Sequence, residues 1–203
     1  MKNEDVLLEL LENDAKYVND RVKLSPLDGL DITISGATGL VGLNIISALN
    51  YYNCHFAKKR ININALSYSK PSGIVYDIFK ENSIKSISGD LDNYQFIKDI
   101  PSSDCIIHSA GYGQPGKFLD NKIKTISINT LATIGLSKRL KSNGRFLFLS
   151  SSEVYSGCSN DKNKEDDIGT TTPNHPRSCY IEGKRSGEAI INILRENGIN
   201  ASS

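Results

Sequence analysis

The sequence predicts an α/β protein built on a doubly wound parallel sheet, in which helices cover both faces. Short apolar runs recur along the chain at the length of strands, and most are followed by a segment with helical periodicity. A glycine-rich turn joins the first of these strands to the next helix. Alternation of strand and helix is typical of a parallel sheet, because each crossover between parallel strands places a helix on one face.

The length and composition indicate a globular protein with one sizeable core. A chain of 203 residues with 38% apolar and 23% charged residues is ordinary for this class. Its formal net charge of +1 gives no electrostatic reason to expect nucleic acid or an anionic membrane as the main partner. No apolar run reaches the roughly 18 residues of a membrane span, so we expect no membrane association.

The N-terminus and the cysteines favour a cytoplasmic protein. The first residues are acidic and lack the basic and apolar segments of a signal peptide. The four cysteines are far apart and form no Cys-x-x-Cys pair, which argues against a zinc site or a disulfide framework and predicts no metal. Cys179 is interpreted as a packing residue, since the sequence supplies no base to activate its thiol.

The elements follow from these patterns in chain order. Residues 1–30 contain an amphipathic helix and a turn, and we interpret them as an N-terminal helical extension. Residues 156–176, rich in polar residues and proline, predict a long loop. The predicted strands lie within 30–36, 60–69, 84–90, 104–111, 145–152 and 198–203. The predicted helices cover 39–52, 117–144 and 178–197, with Gly144 as the cap that ends the second of them.

The turn after the first strand predicts a phosphate-binding loop. The segment ISGATGLVG places three glycines between a strand and a helix. Glycine allows a tight turn and lets a pyrophosphate approach the helix N-terminus, where free N–H groups favour negative charge. The alternative is a tight turn without a ligand. The loop residues predicted to contact a dinucleotide are Gly36, Thr38, Gly39, Leu40, Val41 and Gly42.

The G-x-x-G-x-x-G spacing of this loop resembles the extended short-chain dehydrogenase/reductase family, of the NAD-dependent epimerase/dehydratase type. The segments SGDLDN, IIHSAG, INTLAT, LSSSEVY and YIEGK match further motifs of that family in order, from about Asp31 to the end. The resemblance implies that residues 31–203 form a Rossmann-type NAD(P)-binding domain carrying the catalytic residues. It implies cofactor contacts by Asp90, Leu91, Ser109, Ala110, Gly111, Asn129, Tyr180 and Lys184.

The end of the second predicted strand departs from the family pattern. NAD-binding members have an acid there, which holds the ribose hydroxyls. This chain reads LSYSK and has no acid, while Lys70 is a candidate partner for a 2′-phosphate or an ordinary solvated lysine. The resemblance implies NAD as the cofactor, and the missing acid keeps NADP as the alternative.

Tyr180 and Lys184 are the candidate catalytic pair. Residues four apart share one face of a helix. A phenol ionises near pH ~10, and a neighbouring ammonium favours its ionised form, so the tyrosine can accept a proton near neutral pH. The resemblance adds Ser151 as the hydroxyl that orients the substrate. A surface pair without function is the alternative for an isolated Tyr-x-x-x-Lys.

Glu153 and the segment RSCYIEGKR narrow the expected reaction. Glu153 without an aspartate before it resembles the STSEVYG of UDP-glucuronate decarboxylases, whereas dehydratases have STDEVYG and Ser152 stands at their aspartate. The segment at Arg177–Arg185 is similar to the decarboxylase RSCYDEGKR. Two other segments, GATGLVG and HSAGYGQPGKF, differ from the corresponding sequences of the decarboxylases. The chain thus resembles a sister group of sugar-nucleotide enzymes found with polysaccharide assembly.

The resemblance implies an enzyme that oxidises a nucleotide-linked sugar transiently at C4. Decarboxylation at C5, 4,6-dehydration or epimerisation would follow, with Glu153 as acid and base, and reduction would close the cycle. A reductase with net cofactor consumption is another alternative. The chain ends where a strand starts, so we expect it to lack the last strands and most of a C-terminal substrate subdomain. A cofactor-binding module without turnover therefore stays open. A homodimer through helices 117–141 and 178–197 is expected.

Overall fold

The sheet is parallel and has six strands. A computed structural model describes residues 3–82 and 84–203. The strand order is β3-β2-β1-β4-β5-β6. The order in which strands are added reverses at β1, since β2 and β3 lie on one side of it and β4, β5 and β6 on the other. Such a reversal opens a crevice at the carboxyl ends of β1 and β4, where doubly wound proteins bind ligands. The strands are β1 (Asp31–Ser35), β2 (Asn62–Ser67), β3 (Lys85–Ser88), β4 (Ser103–His108), β5 (Leu140–Phe148) and β6 (Asn200–Ser202). The predicted fold class is confirmed.

Helices on the two faces of the sheet bury two separate apolar cores. Successive residues of a strand point to opposite faces, so Ile107 of β4 packs into one core and Ile106 into the other. The first core lies under α1, α2 and α3, and the second under α4, α7 and α8. The helices are α1 (Asn3–Asn19), α2 (Leu40–His55), α3 (Gly73–Glu81), α4 (Tyr94–Asp99), α5 (Pro115–Asp120), α6 (Lys122–Asn129), α7 (Leu131–Ser137) and α8 (Ser178–Glu196).

The N-terminal extension packs on α2. The side chain of Leu11 is buried in the first core, and the Asn19 side chain donates a hydrogen bond of 3.0 Å to the carbonyl of Ala48. The helical periodicity of the first residues therefore corresponds to a real buried face.

The prediction of one helix over 117–144 is wrong. The chain forms three short helices, separated by non-helical backbone at Asn121 (φ −127°, ψ 48°) and by a distorted helical residue at Thr130 (φ −114°, ψ −74°). Gly144 is not a helix cap, because β5 already begins at Leu140 and pairs with β4. A register shift in this pairing, next to Asn143 at φ 62°, lets a segment with helical periodicity join the sheet.

Two helices were absent from the prediction. The helix α3 begins at Gly73, which has φ 55° and which the sequence pattern assigns to a turn. The helix α4 has only six residues, too few for a periodic signal. Its N-cap, Asn93, accepts hydrogen bonds from the N–H groups of Gln95 and Phe96, and this capping residue was the available signal.

Membrane-spanning helices and metal-binding clusters are both absent from the described residues. In the described ranges, no helix is both long and apolar enough to cross a membrane. Within the same residues, no group of three or more His, Cys, Asp or Glu side chains is arranged to hold a metal ion.

Candidate functional site

The loop between β1 and α2 has the backbone shape that the glycines predict. Gly36 has φ +72°, and a Cβ on it would lie 2.9 Å from backbone atoms of Ser109 and Ala110. A Cβ on Gly42 would overlap the carbonyl oxygen of Gly36. These contacts bring the loop, the start of α2 and the end of β4 so close together that only glycine fits at both positions.

The outer side of the same loop is open. Gly39 is the N-cap of α2 and has no side chain to satisfy the free N–H groups of the first turn. Thr38 is exposed, and Leu40 and Val41 are 82% and 50% exposed. An open helix N-terminus beside a glycine cradle fits a pyrophosphate. The chain's own residues therefore suit a dinucleotide at this position.

A buried hydrogen-bond network joins the ends of β1 and β4 to α6. The ring of His108 is 1% exposed, and its Nε2 lies 2.9 Å from the carbonyl of Ile128. Because a carbonyl only accepts, Nε2 carries the proton, and Nδ1 accepts from the Ser35 hydroxyl at 2.6 Å. That hydroxyl accepts the N–H of Ala110 at 3.2 Å. Burial lowers the pKa of His108 to about 4, so the ring is neutral and the network keeps one orientation at neutral pH.

The predicted residues after β4 lie against the glycine loop. The Ser109 hydroxyl donates to the carbonyl of Ser35 at 2.5 Å, and Ala110 is in contact distance of Gly36. A Cβ on Gly111 would meet no atom within 4 Å, which leaves free space beside it. The structure therefore brings Ser109, Ala110 and Gly111 together with the glycine loop.

The other predicted cofactor residues lie in three different environments. Asp90 lies at the carboxyl edge of the sheet and pairs with Lys124 at 2.5 Å. Leu91 is 8% exposed and packs in the second core, so its side chain serves packing. Asn129 is buried beside α8; its amide donates to the carbonyl of Thr125, and its Oδ1 has no hydrogen-bond partner in the described part of the chain.

Tyr180 and Lys184 occupy the first turns of α8. The Lys184 ammonium donates to the carbonyl of Leu149 at 2.6 Å and lies 5.9 Å from the centre of the Tyr180 ring. The ring of Tyr180 is stacked on that of Phe118, with centroids 4.9 Å apart and planes 14° apart. The hydrogen bond ties α8 to the end of β5, and the stacking fixes the plane of the phenol.

Burial of Lys184 has a measurable consequence for stability. Burial lowers the pKa of Lys184 from 10.5 to about 8, although Glu188 acts in the opposite direction. The unfolded chain therefore binds this proton more tightly than the native protein does, which opposes folding below pH 8. As the pH rises from 8 to 10.5, we expect the wild type to gain up to about 3 kcal/mol relative to Lys184→Met.

Urea unfolding of both proteins across this pH range measures that gain. Lys117→Met is the matched control, since Lys117 is exposed, and its free energy of unfolding should follow that of the wild type at every pH. A constant difference between Lys184→Met and the wild type from pH 7 to 10.5 would contradict the assigned burial.

Glu153 lies in a short 3-10 helix, Ser152–Tyr155, just after β5, and Ser151 is the N-cap of this helix. The Ser151 hydroxyl accepts the N–H of Glu153 at 3.3 Å and so caps this turn. The carboxylate of Glu153 pairs with Arg177 at 2.6 Å and accepts from the Ser156 hydroxyl at 3.2 Å. Arg177 precedes α8 directly, so this ion pair joins the segment of Glu153 to the segment of Tyr180.

Three further residues shape the site and were not predicted to do so. Phe118 supports the Tyr180 ring, and the Arg177 guanidinium lies 5.4 Å from the centre of the Phe118 ring. Arg185 donates to the carbonyls of Val154 and Ser156, and so fastens the 3-10 turn to α8. The sequence signal for Arg177 and Arg185 was their place in RSCYIEGKR, whereas Phe118 had no local signal.

Comparison with known proteins gives the family. A sequence profile of the NAD dependent epimerase/dehydratase family matches residues 32–203. UDP-glucuronic acid decarboxylase 1 of Danio rerio is 40% identical over 100 residues, which are 47% of this chain and 23% of that protein. The Arabidopsis thaliana protein of the same name is 29% identical over 171 residues, which are 79% of this chain and 35% of that protein.

Solved structures show the same fold. The UDP-Glc/GlcNAc 4-epimerase of Campylobacter jejuni has a TM-score of 0.66 at 21% identity, over 84% of this chain and 50% of that one. MoeE5 in complex with UDP-glucuronic acid and NAD has a TM-score of 0.63 at 21% identity, over 85% of this chain and 52% of that one. The chain thus spans about half the length of these structures and less of the curated relatives. It belongs to the NAD-dependent epimerase/dehydratase family.

Proposed function

We propose that residues 31–203 form the NAD-binding and catalytic part of a cytoplasmic nucleotide-sugar-modifying enzyme similar to UDP-glucuronate decarboxylase, and that residues 1–30 are a helical extension. The observation that carries the proposal is the attachment of α8 to the end of β5. The Lys184–Leu149 hydrogen bond and the Arg177–Glu153 ion pair hold the start of α8 against the end of β5, so that Tyr180, Lys184, Ser151 and Glu153 lie at one edge of the sheet.

The glycine loop is the proposed seat of the NAD pyrophosphate. The contacts of Gly36 and Gly42 leave an open cradle at the N-terminus of α2, next to Ser109, Ala110 and Gly111. The proposed site extends to Thr38, Leu40, Val41 and Asn129 on its flanks and to Asp90 at its adenosine end. NAD, when bound, accepts a hydride from the sugar and later returns it.

The chain's own residues would move the protons. Tyr180 removes the proton from the sugar 4-hydroxyl, and Lys184 favours the ionised phenol by its charge. Ser151 holds the sugar oxygen during this step, as its position at the end of β5 allows. Glu153 acts as acid or base in the step that follows the oxidation, and Arg177 holds its carboxylate in place.

Decarboxylation is the reaction that we favour for the middle step. Arg177–Arg185 differs from the decarboxylase segment at Ile181 only, and the curated relatives reported above are UDP-glucuronic acid decarboxylases. A 4,6-dehydratase is the alternative, but Ser152 stands where a dehydratase has an aspartate. An epimerase is a further alternative, which would use Tyr180 without needing Glu153.

Product analysis distinguishes these reactions. The purified chain is incubated with NAD and, separately, with UDP-glucuronate, UDP-glucose and dTDP-glucose, and nucleotide sugars are identified by mass spectrometry. Loss of carbon dioxide from UDP-glucuronate supports decarboxylation, loss of water from a glucose nucleotide indicates dehydration, and an isomer of unchanged mass indicates epimerisation. Net consumption of the cofactor would indicate a reductase.

A cofactor-binding module without turnover is the second candidate. Its support is the glycine loop, whose open cradle suits a dinucleotide without any contribution from the catalytic residues. Thermal unfolding with NAD separates the two, because a ligand that binds only the native state raises the midpoint. A raised midpoint without product supports the module, and an unchanged midpoint without product contradicts both candidates.

We propose further that the protein forms a homodimer through α6, α7 and α8. The apolar side chains of Ile123, Leu131 and Ile193 are 81%, 64% and 54% exposed. Burial of these side chains against a second copy would stabilise the dimer by about 25 cal/mol per Å² of apolar surface.

Light scattering tests the dimer through Leu131→Glu. We expect the wild type to have the mass of two chains and Leu131→Glu the mass of one, because the new charge would be buried at the interface. Leu10→Glu, at a 55% exposed leucine of α1, is the control and should remain a dimer. A wild type with the mass of one chain would contradict the proposal.

A further inference from the structure

A charged pair and an aromatic ring meet at the carboxyl ends of β2 and β3. Ser67 and Ser88, the last residues of these strands, are register partners. Tyr68 follows β2 directly, and Asp90 follows β3 after one glycine. Lys124 of α6 reaches both, with its Nζ 2.5 Å from Asp90 Oδ2 and 4.1 Å from the centre of the Tyr68 ring.

Both members of the pair are ionised at neutral pH. Burial raises the pKa of Asp90, but the hydrogen bonds from Lys124 and from the backbone of Asp92 outweigh it, so that the pKa is lowered. Burial lowers the pKa of Lys124, and its bond to Asp90 more than compensates, so that the pKa is raised. The side chains of Lys124 and Asp90 are still 19% and 35% exposed, so a ligand can reach them.

The end of β2 is the place where doubly wound proteins read the adenosine ribose. An acid there accepts a hydrogen bond from the 2′-hydroxyl and repels a 2′-phosphate. In this chain the Ser67 hydroxyl donates to the carbonyl of Ser69, and the residue after β2 is Tyr68 instead of an acid. The charge in contact with Tyr68 is the Lys124 ammonium, which Asp90 neutralises.

We propose that the Lys124–Asp90 pair sets the discrimination between a dinucleotide with a free 2′-hydroxyl and one with a 2′-phosphate. The inference rests on the dinucleotide site proposed above. Because the pair is neutral as a whole, its two charges oppose each other in the wild type. Removal of one member leaves the other charge unpaired. Asp90 alone would weaken the binding of NADP relative to NAD, and Lys124 alone would strengthen it.

Isothermal titration of NAD+ and NADP+ against Lys124→Met and Asp90→Asn tests this. In Lys124→Met the unpaired Asp90 repels the 2′-phosphate, and the ratio Kd(NADP)/Kd(NAD) should rise about tenfold at low salt. In Asp90→Asn the free ammonium attracts the 2′-phosphate, and the ratio should fall by a similar factor. The double variant should return to the ratio of the wild type.

Two further variants control for charge and for folding. Lys122→Met removes an exposed lysine of the same helix and should leave the ratio unchanged. Lys124→Arg keeps the charge and should also keep the ratio, so it preserves the test if Lys124→Met unfolds at a lower temperature. Higher salt should reduce each shift, because mobile ions screen these partly exposed charges.

The outcomes separate this inference from the proposed function. If NAD binds and the ratio stays within about twofold of the wild type in Lys124→Met and Asp90→Asn, the pair does not discriminate and the dinucleotide site stands. If Lys70→Met loses NADP affinity while Lys124→Met does not, the loop after β2 reads the phosphate instead. If neither dinucleotide binds the wild type, the proposed site fails and this inference fails with it.

Discussion

Tyr180→Phe is expected to lower the rate of sugar conversion by about 10²–10⁴-fold, the range typical of a lost general acid or base. The variant keeps the aromatic ring, which is stacked on Phe118 at 4.9 Å, and removes only the phenolic hydroxyl. The fold and the affinity for NAD should therefore stay close to those of the wild type. We expect the loss to appear in kcat, because the proton is removed during the chemical step.

Single-turnover kinetics with the sugar nucleotide that the product analysis selects, together with the thermal midpoint in NAD, provide the measurement. Tyr94→Phe is the matched control, since Tyr94 lies on α4 and its side chain is 52% exposed. It should convert substrate at the rate of the wild type. A rate for Tyr180→Phe within about threefold of the wild type would show that the phenol is not the base.

Gly36→Ala is expected to lower the free energy of unfolding by about 1–3 kcal/mol, as an inserted methyl group does in a packed region. The residue has φ +72°, a conformation unfavourable for alanine, and the added Cβ would lie 2.9 Å from backbone atoms of Ala110. Relief of this contact requires the loop to move away from the end of β4. The same movement would widen the pyrophosphate cradle and weaken NAD binding.

Urea unfolding and NAD titration of Gly36→Ala measure both effects. Gly116→Ala is the matched control, because a Cβ at this helical glycine of α5 meets no atom within 4 Å. That change should stabilise the protein by up to about 1 kcal/mol, since alanine is the better helix former. Equal stability of Gly36→Ala and the wild type would contradict the close approach of the loop to β4.

Features coded by neighbouring residues could be predicted from the sequence. The apolar runs at Asp31–Ser35 and Ser103–His108 are buried strands, and the glycine loop lies between β1 and α2 as expected. Tyr180 and Lys184 are brought together by the helical repeat alone. In each case the signal and the structure involve the same few residues.

Features that depend on residues far apart in the chain could not be predicted from the sequence. The segment 117–144 has helical periodicity, but pairing with β4 takes its last residues from Leu140 into the sheet. The stacking of Phe118 on Tyr180 joins residues 62 positions apart, and the Lys124–Asp90 pair joins residues 34 apart. Hydrogen bonding across strands and contacts between helices depend on how the chain returns to the same place.

The amino-acid sequence by itself determined the alternation of elements, the glycine loop and the Tyr180–Lys184 pair, because each of these is a local property of the backbone or of a helix face. Only the tertiary structure decided which side chains support them. Arg177 reaches Glu153 because α8 starts beside the end of β5, and Lys124 reaches Asp90 because α6 lies beside the segment that follows β3. Those positions are set by burial of the two apolar cores, which draws on residues from the whole chain.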